Sequence, residues 1–122
     1  MGPNRRWLAI ALALLVGGAL ALAAEIHDAA AAGNLDMVRA ILTQSPQLLN
    51  APGDYARTPL VTAVMNRREA VVTYLLDMGA DVRARDQEGM TALHMVCVLG
   101  QIQLAERLLA RGAGLDDQAN VL

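Results

Sequence analysis

A spacing of 33 residues that repeats along this chain constrains its fold more than any other feature. Thr58-Pro59-Leu60 returns as Thr91-Ala92-Leu93, Leu75-Leu76 as Leu108-Leu109, and Gly79-Ala80 as Gly112-Ala113. A third copy lies upstream, where Ile26-His27-Asp28-Ala29 and the residues up to Gly33 align with Leu93-His94-Met95-Val96 and those up to Gly100. That offset is 67, two periods plus one residue, which the Ser45-Pro46-Gln47 stretch accommodates. Self-similarity at such a period marks an array of small units, each unable to bury its own apolar face and therefore obliged to stack on its neighbours.

Each copy reads as helix, tight turn, helix and extended loop. Thr58 and Thr91 stand where an N-cap belongs, and Pro59 follows at the first helical position, where its missing N–H costs nothing. A first helix over about 59–66 buries Leu60, Ala63 and Val64. A second, about Glu69–Asp77, places Val71, Val72, Leu75 and Leu76 at helical spacing. Gly79 and Gly112 then act as stops able to take positive φ. The counterparts are Ala92–Leu99 and Ile102–Ala110 in the third copy, and 26–32 and 35–43 in the first. The expected fold is all-α, a solenoid of three stacked helix-turn-helix repeats over about 25–53, 54–85 and 86–117, within a domain spanning 24–122.

The segments Thr58-Pro59-Leu60, Gly89-Met90-Thr91-Ala92-Leu93-His94 and Gly79-Ala80-Asp81-Val82 resemble the ankyrin repeat, and the likeness extends from Glu25 to about Asp117. It implies repeats stacked side by side with loop hairpins projecting at right angles to the helices. It also implies Thr and His side chains that fix local backbone and inter-repeat hydrogen bonds, and a non-catalytic role in protein–protein interaction. Three departures stand out. Val61 replaces the motif histidine in the second copy, removing one polar tie. Arg67 replaces the glycine between the two helices there, where positive φ costs about 1 kcal/mol unless Asn66 carries the turn. After Gly112-Ala113 no further Gly-x-Thr-Pro-Leu occurs, so the array is expected to stop at three copies, near the minimum for a stable stack.

Upstream of the repeats, the 18 residues from Trp7 to Ala24 carry no charge, follow Arg5-Arg6 and end in Ala21-Leu22-Ala23-Ala24. Ala21 and Ala23 fit the small-residue positions of a cleavage site, so residues 1–23 are expected to be a signal peptide. The rival is an uncleaved membrane anchor over 7–24, just long enough to cross a bilayer; a buried helix is the third reading. The arginine pair resembles a twin-arginine signal only loosely. Both leading readings put the folded part outside the cytoplasm. The absence of lysine beside 23 alanines points to a GC-rich bacterial genome, hence a periplasm or cell exterior.

Eight arginines against twelve acids give the remaining chain a net charge near −4, with only two tyrosines as aromatics. Such a chain lacks the basic patches and stacking rings of a nucleic-acid binder. A single cysteine forms no internal disulfide. Cys97 falls at a seam position and is expected to be a small core residue. His27 and His94 occupy equivalent positions and read as structural ties; two layers apart they stand roughly 20 Å from each other, too far to share one zinc at bond lengths of about 2 Å. Asp86, Glu88, Asp116 and Asp117 fall in loops, where solvated charge is the ordinary account. Arg57, Arg67, Arg68, Arg83 and Arg85 cluster in the middle copy among Asp54, Glu69, Asp77 and Asp81, a mixed surface with an acidic-partner subsite as the alternative. With no phosphate loop and no Gly-x-Ser-x-Gly elbow, no enzyme, metal site, cofactor or small-molecule substrate is expected.

If the stack is ankyrin-like, its concave face is built from loop tips and the exposed side of the first helices. The variable positions there are Asp28, Ala31 and Ala32, then Thr62, Met65 and Asn66, then Met95, Val98 and Leu99; at the loop tips they are Asp54, Tyr55 and Arg57, then Gln87, Glu88 and Met90. The expected contact patch is Tyr55, Met65, Met90, Met95, Val98 and Leu99, rimmed by Arg57 and Glu88. Methionine adapts readily to a partner surface, and exposed apolar patches mark interaction sites. The alternative covers Met95, Val98 and Leu99 with the tail, residues 115–122. The expected function is an exported bacterial protein that binds another protein through its concave face, as an immunity or accessory factor of an envelope enzyme; the alternative is an adaptor anchored in the inner membrane.

Overall fold

The computed structural model describes the backbone of residues 19–114 and the side chains of residues 23–114. Most of the expected signal segment and the whole 115–122 tail lie outside the described residues. Among those described there are six α-helices and no strand: α1 (Ala19–Ala32), α2 (Leu35–Gln44), α3 (Pro59–Met65), α4 (Glu69–Asp77), α5 (Ala92–Leu99) and α6 (Ile102–Ala110). Short 3₁₀ turns at Pro46–Leu48 and Asp54–Ala56 shape the connections.

Helices α3 and α5 begin where their caps dictate. Thr58 accepts the Val61 N–H at 3.3 Å and Pro59 opens α3. Thr91 accepts the His94 N–H at 3.4 Å, and the His94 ring reaches back to the Thr91 N–H at 3.1 Å, closing a capping box with histidine at its third position. The first copy departs from this pattern. Ala24 stands where the others have threonine and offers no cap, so α1 starts by Ala19 instead of at Ile26 and runs unbroken through the Ala23–Ala24 bond. Between the paired helices, Gly33 and Gly100 take φ of 75° and 71°, and Arg67 takes 57° at the same register. Asn66 stays at φ −96°, so it is the arginine that carries the left-handed turn.

Helices α1, α3 and α5 pack in a row, with α2 and α4 behind them. The same register positions fill the core in every copy: Ile26, Leu60 and Leu93 from the first helices, with Met37, Val71, Leu104 and Ile41, Leu75, Leu108 from the second, all buried. Ala29 and Ala63 keep the first helices close. Each fully buried aliphatic side chain contributes about 2 kcal/mol of transfer free energy, and the stack shares that gain across its seams.

Polar ties repeat with the same period. Arg68 Nε donates to the Ala31 carbonyl at 2.9 Å, and Gln101 Nε2, 33 residues on, donates to the Val64 carbonyl at 3.3 Å. In each case the residue before a second helix satisfies a carbonyl left open at the end of the preceding repeat's first helix. Arg107 donates to Thr73 Oγ1 at 2.8 Å, while Arg111 binds the Leu76 carbonyl and the Asp77 carboxylate, fastening α6 to α4.

Two expectations about single residues are corrected here. Cys97 is exposed, not in the core; its counterparts Val64 and Ala30 are buried because another repeat follows them, and no such neighbour covers α5 among the described residues. Asp86 is only 8% exposed, so it is not a solvated loop charge. Its Oδ1 accepts the Glu88 N–H at 2.8 Å and the Met90 N–H at 2.9 Å, and its Oδ2 faces Arg57 Nε at 3.6 Å.

Candidate functional site

The loops that precede α3 and α5 share one construction. Gly53 N–H donates to the Arg57 carbonyl at 2.8 Å, and Asp86 N–H donates to the Met90 carbonyl at 2.9 Å, 33 residues later. The two loops are joined by the Gln87 N–H, which donates to the Tyr55 carbonyl at 2.9 Å, and by the Arg57–Asp86 ion pair. The second pairing takes over where Val61 has removed a histidine tie. The first copy keeps its histidine: His27 Nε2 meets the Arg57 carbonyl at 3.1 Å and Nδ1 meets the Ala23 carbonyl at 2.6 Å. His27 and His94 thus both hold backbone, in different ways, in separate layers of the stack.

Tyr55 and Ala56 are both held at φ 57°, the left-handed region that non-glycine residues avoid. At the register of Ala56 the third copy has Gly89, at φ 78°. Two successive strained residues cost on the order of 1 kcal/mol each. The Tyr55 residue is 60% exposed, with the Arg57 guanidinium 4.9 Å from the ring centroid.

Beneath this tip lies a depression of about 260 Å³, lined by His27, Asp28 and Ala31 of α1, by Asp54, Tyr55 and Arg57 of the loop, and by Thr62, Met65 and Asn66 of α3 and its end. A second hollow of about 270 Å³ adjoins it, sharing His27, Asp28 and Asp54. The walls therefore come from two repeats and one loop tip. Arg57 is engaged by Asp86 and the Tyr55 ring, whereas no hydrogen bond or ion pair engages the side chains of Asp28 or Asp54 among the described residues. The hollow has an acidic floor edge and an apolar, aromatic rim.

The structure divides the expected contact patch. Tyr55, Arg57 and Met65 meet at the depression. Glu88 and Val98 are exposed but do not line it. Met90 is buried at 9%, because the Asp86 turn holds its N–H and draws the residue into the loop; it is not a contact residue. Met95 and Leu99 are half-buried and packed on the core. Besides His27 and Ala31, the lining residues that an apolar patch leaves out are the polar Asp28, Asp54, Thr62 and Asn66. All four occupy variable repeat positions, and that positional signal finds them where a search for hydrophobicity does not.

The depression offers shape, an aromatic edge and fixed charge, and no group of three or more His, Cys, Asp or Glu poised to hold a metal occurs among the described residues. Comparison with known proteins gives this arrangement its setting. The family described as "Ankyrin repeats (3 copies)" matches residues 26–119. This chain belongs to the ankyrin-repeat family. It is 33% identical to Inversin of Gallus gallus over 90 residues, covering 74% of this chain and 8% of that protein. Against Target of rapamycin complex 2 subunit AVO2 of Saccharomyces cerevisiae it is 32% identical, with 75% of this chain and 22% of that protein covered. Against the ankyrin repeat domain-containing protein SAT10 of Stachybotrys chartarum the identity is 30%, over 80% of this chain and 7% of that protein. The chain thus spans less than a quarter of the length of each of these relatives. Ankyrin repeats are protein–protein interaction modules, and the depression lies where loop tips and first helices of such a stack meet.

Proposed function

We propose that this ankyrin chain is a non-catalytic binding protein of the bacterial envelope, exported by its N-terminal segment, that docks one partner protein in the depression between the first two repeats. The observation that carries the reading is the tip itself. Backbone strain at Tyr55 and Ala56 holds an aromatic ring over a hollow walled by both repeats, and such strain persists where the surroundings enforce it and function uses it. A role as immunity or accessory factor of an envelope enzyme fits an interaction module built of ankyrin repeats. No helix among the described residues is long and apolar enough to cross a membrane.

The test is capture from envelope extract with the tagged protein, followed by mass spectrometry and then titration of the partner. Tyr55→Ala and Met65→Glu are expected to weaken binding at least tenfold, the range of a central contact residue, with unchanged unfolding midpoints. Equal binding by wild type and both variants would remove the depression from the account. Intact mass of the purified protein decides the export route: loss of residues 1–23 supports a cleaved signal, and retention supports the anchored adaptor instead.

A further inference from the structure

The first repeat opens unlike the other two, and the difference falls on one peptide bond. Thr58-Pro59 and Thr91-Ala92 start their helices, whereas the corresponding pair upstream is Ala24-Glu25. Ala24 has no hydroxyl to cap a helix, and Glu25, unlike Pro59, keeps the N–H and the space that a preceding turn requires. The run Ala19–Ala32 holds no glycine or proline and is mostly alanine and leucine, strong helix formers. Helix α1 therefore passes through the Ala23–Ala24 bond. Contacts then hold the bond there. Ala23 packs against the core, and its carbonyl meets His27 Nδ1 at 2.6 Å. Both alanines lie beside Pro52, Gly53 and Asp54 of the loop, along one hollow. His27 is in turn fixed from the second repeat, its Nε2 standing 3.1 Å from the Arg57 carbonyl. Ile26, just past the bond, is fully buried.

We propose that folding of the first repeat closes this bond to hydrolysis, so that Ala23–Ala24 is cut only in a chain that has not yet stacked. The inference rests on the export reading above, which places the cleavage there. In the cut, water adds across the amide and the C–N bond breaks. The oxygen of the water completes a carboxylate on Ala23, and its two protons make the Ala24 nitrogen an ammonium. A peptidase takes its substrate as an extended strand, with the backbone around the bond unpaired. To reach that form, the folded chain must unwind 21–25, draw Ala23 from the core and strip His27 of an acceptor. Cleavage of folded protein then follows the small population so opened. Chains cut early are released as the mature domain, while those that fold first keep residues 1–23. The race between peptidase and stacking sets the share of released and anchored protein, so both readings of the N-terminal segment apply to one chain.

The test exposes full-length chains in detergent to bacterial signal peptidase and follows loss of residues 1–23 by mass spectrometry. Leu75→Asp puts a charge at a buried position and is expected to leave the repeats unfolded, giving the rate for the open bond. Wild type, shown to be folded by circular dichroism, is expected to be cut at least about tenfold more slowly, the effect of closing one hydrogen-bonded turn. Glu25→Pro restores the start used by the second repeat: proline at the first helical position bars the preceding turn and extends Ala24. This variant is expected to fold with a wild-type melting temperature and to be cut at the rate of Leu75→Asp. His27→Ala, which removes the tether on Ala23, is expected to be cut severalfold faster than wild type. Folded wild type cut as fast as Leu75→Asp overturns the proposal and leaves the export reading standing, as does a folded Glu25→Pro chain that resists as wild type does. If neither Leu75→Asp nor Glu25→Pro is cut, the cleaved-signal reading fails and the proposal falls with it.

Discussion

Gly53 tolerates no side chain, and the reason is a neighbour, not its own backbone. Its φ is −107°, which a side chain tolerates. A Cβ built there would stand 2.6 Å from His27 Cδ2 and 2.7 Å from Nε2, well inside van der Waals contact. The imidazole cannot swing aside freely, because it is lodged between two backbone carbonyls, Ala23 at Nδ1 and Arg57 at Nε2, with one N–H to donate when the ring is neutral. Gly53→Ala must therefore displace the ring and break the bond to Arg57. Loss of one such bond costs about 1 kcal/mol, and forcing a single extra methyl into a packed site costs about 1–2 kcal/mol, the lower part of the range for overpacking, so a total of about 2–3 kcal/mol is expected. For a domain near 100 residues that lowers Tm by about 8–12 °C.

Urea unfolding followed by far-UV circular dichroism supplies the free energies, and a double-mutant cycle supplies the test. His27→Ala alone should cost about 1–2 kcal/mol through the lost bonds and ring packing. In that background the clash is gone, and Gly53→Ala should fall within about 0.5 kcal/mol of neutral, helped by the stiffer unfolded chain. The coupling between the two sites is then about 2–3 kcal/mol. If Gly53→Ala costs the same with and without the imidazole, the steric argument is wrong.

Two further outcomes follow from the caps and the buried loop charge. Thr91→Ala is expected to cost about 2 kcal/mol and Thr58→Ala about 1 kcal/mol, since the Thr91 hydroxyl serves both the His94 N–H and the His94 ring, whereas Thr58 serves one N–H; equal costs from urea titrations would deny His94 a part in the cap. Asp86→Ala is expected to cost about 3 kcal/mol, because two backbone N–H groups and Arg57 lose their acceptor together, while Asp86→Asn keeps Oδ1 and should cost about half as much; thermal melts of the two variants beside wild type check the ratio.

Much of this fold is legible in the sequence because cap, stop and apolar spacing agree within each copy. Thr-Pro at 58–59, the 33-residue return and the glycines locate α3 to α6 within a residue or so of where they stand. The first copy is harder to read, since Ala24 carries no start signal and the alanine-rich run before it is itself a good helix former, so α1 extends upstream. The depression was half legible. Tyr55, Arg57 and Met65 follow from repeat position and side-chain character, but Asp28 and Asp54 matter only once the structure shows them unengaged at the same hollow. The burial of Met90 and Asp86 depends on one carboxylate folding the turn around itself, a local event with no periodic signature.

The exposure of Cys97 has a different origin. A repeat register assigns a residue its position within a unit, but burial at a seam belongs to a pair of units. A buried Cys97 would require a further repeat packed on α5. The same holds for Leu109, which is apolar for a reason its own unit does not contain. At Arg67 the reverse occurs: the unit asks for glycine, and the residue that replaces it accepts left-handed backbone while its guanidinium donates to the Leu99 carbonyl, 3.4 Å away in the next repeat. Contact with the neighbouring layer offsets a local cost there. Across the three repeats the junctions carry much of the stability, and substitutions at Arg67, Arg68 and Gln101, which donate to carbonyls of the adjacent repeat, act on them directly.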